Sequence, residues 1–393
     1  MSKLRTHQLP ANTLFSDFEF EESKTKAIDF PTNIQAIEQR IQTIHPGKYA
    51  KTRNYIHGAV TYLSPYITRG VISLTQVKEY VLSNFKKYES EKLLQELAWR
   101  EYFQRIWQFY GDGIFSDIKQ TQQQVMHHQI PSAIVNASTT IHAIDTAIEQ
   151  LYETGYMHNH NRMYTAMLTC NIAKSHWQIP ARWMYYHLLD GDIASNTLSW
   201  QWVAGSFSSK KYYANQENIS KYNRSNQTKG YLANGYEQIA MMDVPEVLVK
   251  TTQLQLQTNL PTVSPIQSNT DLPLLVYNSY NLDPYWHKDT NANRVLLLEP
   301  KHFQQFPVSN KVLDFIIELG TTNIPNLQVF VGSFDELFAI YQANNSSTTV
   351  FYKEHPTCKH YKGNEESRTW LFPNVSGNFN SFFAYWKKAE RYL

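Results

Sequence analysis

Between Thr154 and Trp202 this chain crowds polar side chains able to bind or catalyse among large aromatic rings. The stretch begins TGYMHNHNRM and ends HLLDGDIASNTLSWQW, with large rings set among Asn, Arg, Asp and His at helical spacings. A core helix does not need so many polar groups beside so many rings, whereas a helical pocket for a large, planar, charged ligand does. If the chain is helical after Gly191, then Asp192, Asn196 and Trp200 lie one turn apart on one face. Asp and Asn are poor residues for a helix interior, so ligand contact would justify them. The carboxylates of Asp190 and Asp192 can accept hydrogen bonds from sugar-type hydroxyls or ring N–H groups; the rival reading is that they cap a helix N-terminus. Asn159 and Arg162, at i and i+3, share a face, and a buried Arg needs an anion such as a diphosphate or carboxylate. His158 and His160 do not converge at i, i+2 on a helix, so no metal site is expected there.

A second cluster, LLQELAWREYF (93–103), sets Glu96 and Arg100 one turn apart beside Trp99. An intrahelical ion pair and a core tryptophan would explain these equally well. A third cluster is basic. Residues 205–232 hold Lys210, Lys211, Lys221, Arg224 and Lys229 against the single acid Glu217, with Tyr212, Tyr213, Tyr222 and Tyr231 interleaved. Phosphates attract such cations and unstacked bases attract such rings, while a solvated loop is the plain alternative.

These clusters need long helices to position them. Apolar periodicity predicts helices over 34–41, 74–85, 92–110, 141–152, 163–172 and 181–189, with Gly111 and Gly155 as stops. Residues 243–271, rich in Pro, Gln, Thr and Ser, read as a linker. Short apolar runs at 272–277, 295–298, 329–331 and 350–352 then alternate with helices at 311–319, 334–341 and 379–392, the signature of a small α/β layer with a mostly parallel sheet. No GxGxxG or Gly-x4-Gly-Lys loop occurs in it. The expected division is a lead-in over 1–30, an all-α domain over 31–242, a linker over 243–271 and an α/β domain of unassigned role over 272–393.

Composition bounds the rest. The chain has 393 residues, 42% hydrophobic and 18% charged, with net charge +2. Residues 261–393 hold 11 basic and 12 acidic side chains and residues 1–260 hold 25 and 22, so overall charge does not decide for or against nucleic acid. Cys170 and Cys358 cannot furnish an iron–sulfur or all-cysteine zinc site, and no disulfide framework is implied. The first residues lack the apolar run of a signal peptide and no stretch approaches a membrane span, so the expectation is a soluble cytoplasmic protein, a monomer, with no membrane partner.

Read together, five segments carry a family resemblance: Tyr-Ala-Lys-Thr-Arg-Asn (49–54), Tyr-Leu-Ser-Pro-Tyr (62–66), Glu-Leu-Ala-Trp-Arg-Glu (96–101), Thr-Gly-Tyr-Met-His-Asn (154–159), and Asp-Gly-Asp-Ile-Ala-Ser-Asn with Trp-Gln-Trp (190–202). In this order, over about residues 31–205, the chain resembles the FAD-binding domain of DNA photolyases and cryptochromes. The resemblance implies an all-helical domain holding FAD, and repair of cyclobutane pyrimidine dimers in UV-damaged DNA by light-driven electron transfer. By it, Tyr49, Leu63, Ser64, Arg100, Arg162, Asp190, Asp192 and Asn196 contact the cofactor, Asn196 standing opposite flavin N5. Glu96, Trp99, Asn159, Met163 and Trp202 face the extruded dimer. Trp177 and Trp200 match two members of an electron relay, although a structural role for Trp177 stays open. Lys210, Lys211, Lys221 and Arg224 would then face DNA.

The chain also departs from the family pattern. Residues 111–155 contain no Trp for the distal step of the relay. Leu198-Ser199 replaces a Gly-Gly pair, Phe103 a frequent Tyr, Leu93 a cavity Trp and His160 an Arg. Enzymes acting on (6-4) lesions usually carry His-His where Asn159 and His160 stand, which favours cyclobutane dimers. The family's α/β antenna domain normally precedes the helical one; here an α/β region follows it, and no antenna pigment is assigned. The alternatives are a cryptochrome-like blue-light receptor and a helical binding protein that has lost flavin.

Overall fold

The computed structural model describes residues 28–342 and 348–393. Most of the expected lead-in, residues 1–27, lies outside them. The helical region comprises α1 (Ile34–Gln42), α2 (Pro46–Thr52), α3 (Ser64–Thr68), α4 (Leu74–Asn84), α5 (Lys87–Tyr110), α6 (Ser132–Val135), α7 (His142–Thr154), α8 (Asn159–Met167), α9 (Gln178–His187), α10 (Ile193–Ala204), α11 (Gln216–Asn223), α12 (Tyr236–Met241) and α13 (Glu246–Val249). Local chemistry sets the ends. Asn33 caps α1 by accepting from the Ala36 N–H at 2.9 Å, and Ser73 closes a capping box with Gln76 on α4. One apolar core joins α7 to α10, with Ile144, Ile148, Leu151, Tyr164, Met167, Trp183 and Trp200 buried in it.

Gly155 is the positioning residue of this region. It ends α7 with φ +71, and a Cβ there would lie 2.6 Å from Leu189 Cγ. Its carbonyl accepts the Leu189 N–H at 2.8 Å. The turn entering α8 is thereby held against the turn entering α10. After α8 the chain passes through a fully buried π-helical turn, Leu168–Ile172, in which Asn171 Nδ2 donates to Val203 O at 2.9 Å and Tyr212 O at 2.8 Å.

The stretch read as a linker is partly ordered into the helical region. It contains α13, and β2 (Thr251–Thr252) pairs antiparallel with β1 (Ile130–Pro131), a pairing too short to show as alternation in the sequence. Then comes the α/β layer: β3 (Leu274–Tyr277), β4 (Asn293–Leu298), α14 (Pro300–Gln305), α15 (Asn310–Asn323), β5 (Leu327–Val331), α16 (Phe334–Gln342), β6 (Val350–Lys353), β7 (Asn364–Glu366) and α17 (Phe382–Ala389). The strand order is β5-β4-β3-β6-β7 and every pairing is parallel. β3 and β4 are buried throughout, as a sheet covered on both faces requires. The expected all-α region followed by an α/β layer is what the structure contains.

The two regions pack as parts of one unit spanning residues 31–393. Arg69, 1% exposed, donates through Nε to Leu189 O at 3.1 Å and through Nη1 to Ser279 O at 3.4 Å. Tyr185 and Tyr280 share a hydroxyl hydrogen bond of 2.8 Å. Buried Glu101 accepts from the Leu371 N–H, from the Phe372 N–H at 2.9 Å and from Tyr385 Oη at 2.7 Å. Burial raises the Glu101 carboxyl's pKa despite those three bonds.

Candidate functional site

The turn held by Gly155 and Leu189 sets Arg162 of α8 opposite Asp190. Arg162 Nη2 donates to both Asp190 carboxylate oxygens, at 3.0 and 2.9 Å, and its Nε donates to Met157 O at 2.7 Å. A second pair stands beside it. Arg100 Nη2 of α5 lies 3.4 Å from Asp192 Oδ2 and donates to Thr68 Oγ1 at 2.7 Å; Thr68 Oγ1 in turn donates to Asp190 O at 3.1 Å. Both Asp side chains are 4% exposed, whereas the two Arg side chains keep about a fifth of their surface open. Four residues read as cofactor contacts from distant parts of the sequence thus form one charge-balanced cluster joining α3, α5, α8 and the start of α10.

The cap reading holds for one Asp only. Asp192 is the N-cap of α10, accepting from the Ser195 N–H at 2.6 Å and also from Gln104 Nε2 at 2.5 Å. Asp190 instead meets Arg162. Glu96 does not face Arg100. Its carboxylate lies 2.9 Å from Lys92 Nζ and 3.3 Å from Arg53 Nε. Tyr49 of α2 sits near that carboxylate, and burial followed by the Glu96 charge raises its pKa. Tyr62, in the left-handed region at φ +52, packs edge-on to Tyr156 at 5.3 Å, and the Arg162 guanidinium lies 5.5 Å from the Tyr156 ring centre. Leu63 is buried at the start of α3, next to half-buried Ser64. Asn196 of α10 is half-buried and donates to Ala181 O at 2.9 Å.

The residues read as facing substrate are spread more widely. Trp99 is stacked face to face on Phe382 of α17, with ring centres 3.8 Å apart and planes 9° apart. Met163 and Trp202 are half-buried against the α7–α10 core, and Trp202 lies 5.9 Å from Tyr212. Asn159 is exposed at the first position of α8. His158 caps that helix through Nδ1, which accepts the His160 N–H at 3.2 Å; burial first, then His160 and Arg162, push its pKa down to about 4. Trp177 and Trp200 are each 2% exposed. Lys210, Lys221 and Arg224 are exposed. Lys211 turns inward: its Nζ donates to Gln123 O at 2.7 Å and Gln124 Oε1 at 3.0 Å, and burial pushes its pKa down to about 8. Tyr212, Tyr213 and Tyr231 pack on the core, so those rings face the interior rather than a ligand groove.

Sequence reasoning missed Thr68, Gln104 and Tyr156, which complete the cluster, and Arg53, which pairs with Glu96. Arg53 and Tyr156 lie inside the segments 49–54 and 154–159, so the signal for them was the segment itself. Nothing local marks Thr68 or Gln104.

The cluster offers carboxylates, guanidinium groups, hydroxyls and an amide around half-buried aromatic rings. Ser195 Oγ, next to Asn196, is buried without a hydrogen-bond partner among the described residues. A buried polar atom left unpaired fits a site that receives a polar ligand. This donor set suits a flavin dinucleotide, with hydroxyls, diphosphate and ring amides to satisfy.

Comparison with known proteins agrees with this chemistry. Residues 93–252 match the family model described as the FAD binding domain of DNA photolyase. The Deoxyribodipyrimidine photo-lyase of Alkalihalophilus pseudofirmus is 30% identical over 146 residues, 36% of this chain and 30% of that protein. Cryptochrome DASH of Ostreococcus tauri is 29% identical over 196 residues, 47% of this chain and 34% of its own. Among solved structures, a Synechocystis cryptochrome aligns with a TM-score of 0.44 at 24% identity, covering 50% of this chain and 44% of that one. The chain spans about a third of the length of the curated relatives it matches. Over residues 93–252 this chain is therefore similar to the FAD-binding domain of DNA photolyases and to proteins named photolyase and cryptochrome DASH.

Proposed function

We propose that this protein binds FAD in the Arg100–Asp192/Arg162–Asp190 cluster and uses light to repair cyclobutane pyrimidine dimers in DNA. The observation that carries the reading is that cluster: two ion pairs and a buried Ser195 Oγ with no partner among the described residues, all within the segment 93–252 that matches the FAD-binding domain, joined by the Thr68 hydroxyl from outside it. When bound, FAD supplies the photo-excitable electron donor. The chain supplies the rest. Arg100, Arg162, Tyr49, Leu63 and Ser64 hold the cofactor's polar groups, and Asp190 and Asp192 orient both guanidinium groups while accepting from hydroxyls or ring N–H. Asn196 presents a neutral amide to the ring system, which suits a reduced, anionic flavin better than a carboxylate does. Glu96, Trp99, Asn159, Met163 and Trp202 receive the dimer, Glu96 as hydrogen-bond partner. Trp177 and Trp200 carry electrons inward. Exposed Lys210, Lys221 and Arg224 meet phosphates, with Lys211 supporting the loop from within.

One observation favours a second reading. Phe382 covers a face of Trp99, where a base would otherwise stack. A flavin receptor that signals through a partner has no need of that face. Glu96→Ala separates the two. If the chain repairs dimers, the variant keeps its flavin and loses most of its repair yield per absorbed photon; equal yield in parent and variant removes Glu96 from the mechanism. Retained flavin with no loss of dimers in the parent selects the receptor.

A further inference from the structure

The indole of Trp177 is buried, yet its Nε1–H donates to a carboxylate, Asp117 Oδ1, at 2.6 Å. A core tryptophan needs only a neutral carbonyl to satisfy its N–H, and desolvating a carboxylate costs more than desolvating a carbonyl. The contact is also held from several sides. Asp117 Oδ2 accepts the Gln122 N–H at 2.8 Å, Gln122 Oε1 accepts the Trp177 N–H at 3.0 Å, and Gln122 Nε2 donates to Ser175 O at 2.8 Å. Past Asp117 lies His176, its Nε2 3.8 Å from Oδ1, and the His176 ring stacks on His128 at 4.7 Å and 26°. Trp177 is 2% exposed, the Asp117 and His176 side chains are 15% and 13% exposed, and His128 is exposed. A line of proton-binding groups therefore runs from a buried indole to the surface.

We infer that Asp117 is the proton acceptor of Trp177, and that this pair ends the electron relay in place of a further ring. The inference rests on the FAD and relay assignments above. Losing one electron converts indole N–H from a very weak acid into one comparable with a carboxylic acid. The oxidant is photo-excited, oxidised flavin. One electron leaves Trp177 by way of Trp200 and the flavin gains it; the Nε1 proton crosses the existing hydrogen bond to Oδ1. Trp177 becomes a neutral indolyl radical and Asp117 a neutral acid, so charge and atoms balance. Electron return then requires the proton to return as well, which prolongs the charge-separated state. A chain without a Trp in 111–155 can hold its oxidised end inside the protein this way. Burial, against the opposing pull of Asp117, keeps His176 below its usual pKa, so it is neutral at pH 7 and able to take the proton onward.

The test is flash photolysis of the full, flavin-loaded chain, following the tryptophan radical by absorption, where neutral and cationic forms differ. Asp117→Asn keeps an acceptor for the indole N–H but cannot bind its proton. Wild type is expected to form the neutral radical, with a solvent deuterium isotope effect on its formation. In Asp117→Asn the radical should remain cationic, the deuterium isotope effect should be lost and the lifetime should shorten. Asp117→Glu should restore the neutral radical, and equal flavin content in all three shows that the fold is intact. A radical with the same protonation state and lifetime in wild type and Asp117→Asn overturns the assignment of Asp117 while the relay stands. If flavin is bound but Trp177→Phe leaves the tryptophan radical unchanged, the relay assignment fails and this inference with it.

Discussion

Removing Arg162 tests the cluster most sharply. The Asp190 side chain is 4% exposed and both its oxygens accept from Arg162, at 3.0 and 2.9 Å. Arg162→Ala leaves that carboxylate buried without the one side-chain donor it has among the described residues, and also frees Met157 O. Breaking one partner of a buried ion pair costs about 3–5 kcal/mol, a large share of the ~5–15 kcal/mol that holds a domain folded. Arg162→Ala with Asp190→Ala removes both charges and should return to within about 2 kcal/mol of the parent. Flavin retention should not return if, as proposed, these two groups hold the cofactor, because both are gone. Urea unfolding followed by tryptophan fluorescence gives the stabilities, and the visible-to-ultraviolet absorbance ratio after gel filtration gives flavin content. A single variant within about 0.5 kcal/mol of the parent, the ordinary range of a surface substitution, would mean that the Arg162–Asp190 pair does not support the fold. So would a double variant no more stable than the single one, and one that keeps its flavin would contradict the cofactor role of the pair.

Other expectations follow from individual contacts. Glu101→Ala leaves the Leu371 and Phe372 N–H groups and Tyr385 Oη unpaired in the interior, and should cost about 3 kcal/mol or more by urea unfolding; iodide should then quench Trp99 more strongly as α17 loosens. His158 has its pKa lowered to about 4 from 6.5, so its neutral form is favoured in the folded state. That contribution is complete above pH 6.5 and is lost as pH falls from 6.5 toward 4, about 3 kcal/mol in all; replacing His158 with Asn should flatten the pH–stability curve in that window. Lys210→Glu with Lys221→Glu should weaken binding of duplex DNA and reduce the slope of log affinity against log salt by about 1 per lysine. An unchanged slope would make these side chains a plain solvated surface.

How far the sequence disclosed this protein depended on whether the controlling contact was local. The cap at Asn33, the glycine end of α7 and the alternation of β3 to β6 with α15 and α16 depend on near neighbours, and their positions follow from spacing. The pairing of β1 with β2 spans about 120 residues and two positions, too little to leave a period. β7 reads Asn-Glu-Glu and is largely exposed, so no apolar signal announces it. In the site, residue types marked Arg162, Asp190 and Arg100 as polar groups needing partners, but spacing offered Glu96 as the partner of Arg100. The fold chose Asp192 because α5 crosses the start of α10 there. The tyrosines of 205–232 have the composition of a base-stacking surface, and only packing reveals that three of them turn inward. Phe382 on Trp99 joins positions 283 residues apart, and nothing near either one foretells it.

FAD binding and light-driven reversal of cyclobutane pyrimidine dimers, the function proposed for this chain, can be checked together. The direct measurement is one sample: the purified protein, its flavin reduced, mixed with a dimer-containing oligonucleotide and exposed to blue light, with intact thymines counted against a dark control. The expected result is a flavin absorption band at close to one flavin per chain and dimer loss that grows with light dose and is absent in the dark. Protein without flavin, or flavin-loaded protein that leaves every dimer intact under light, would contradict it.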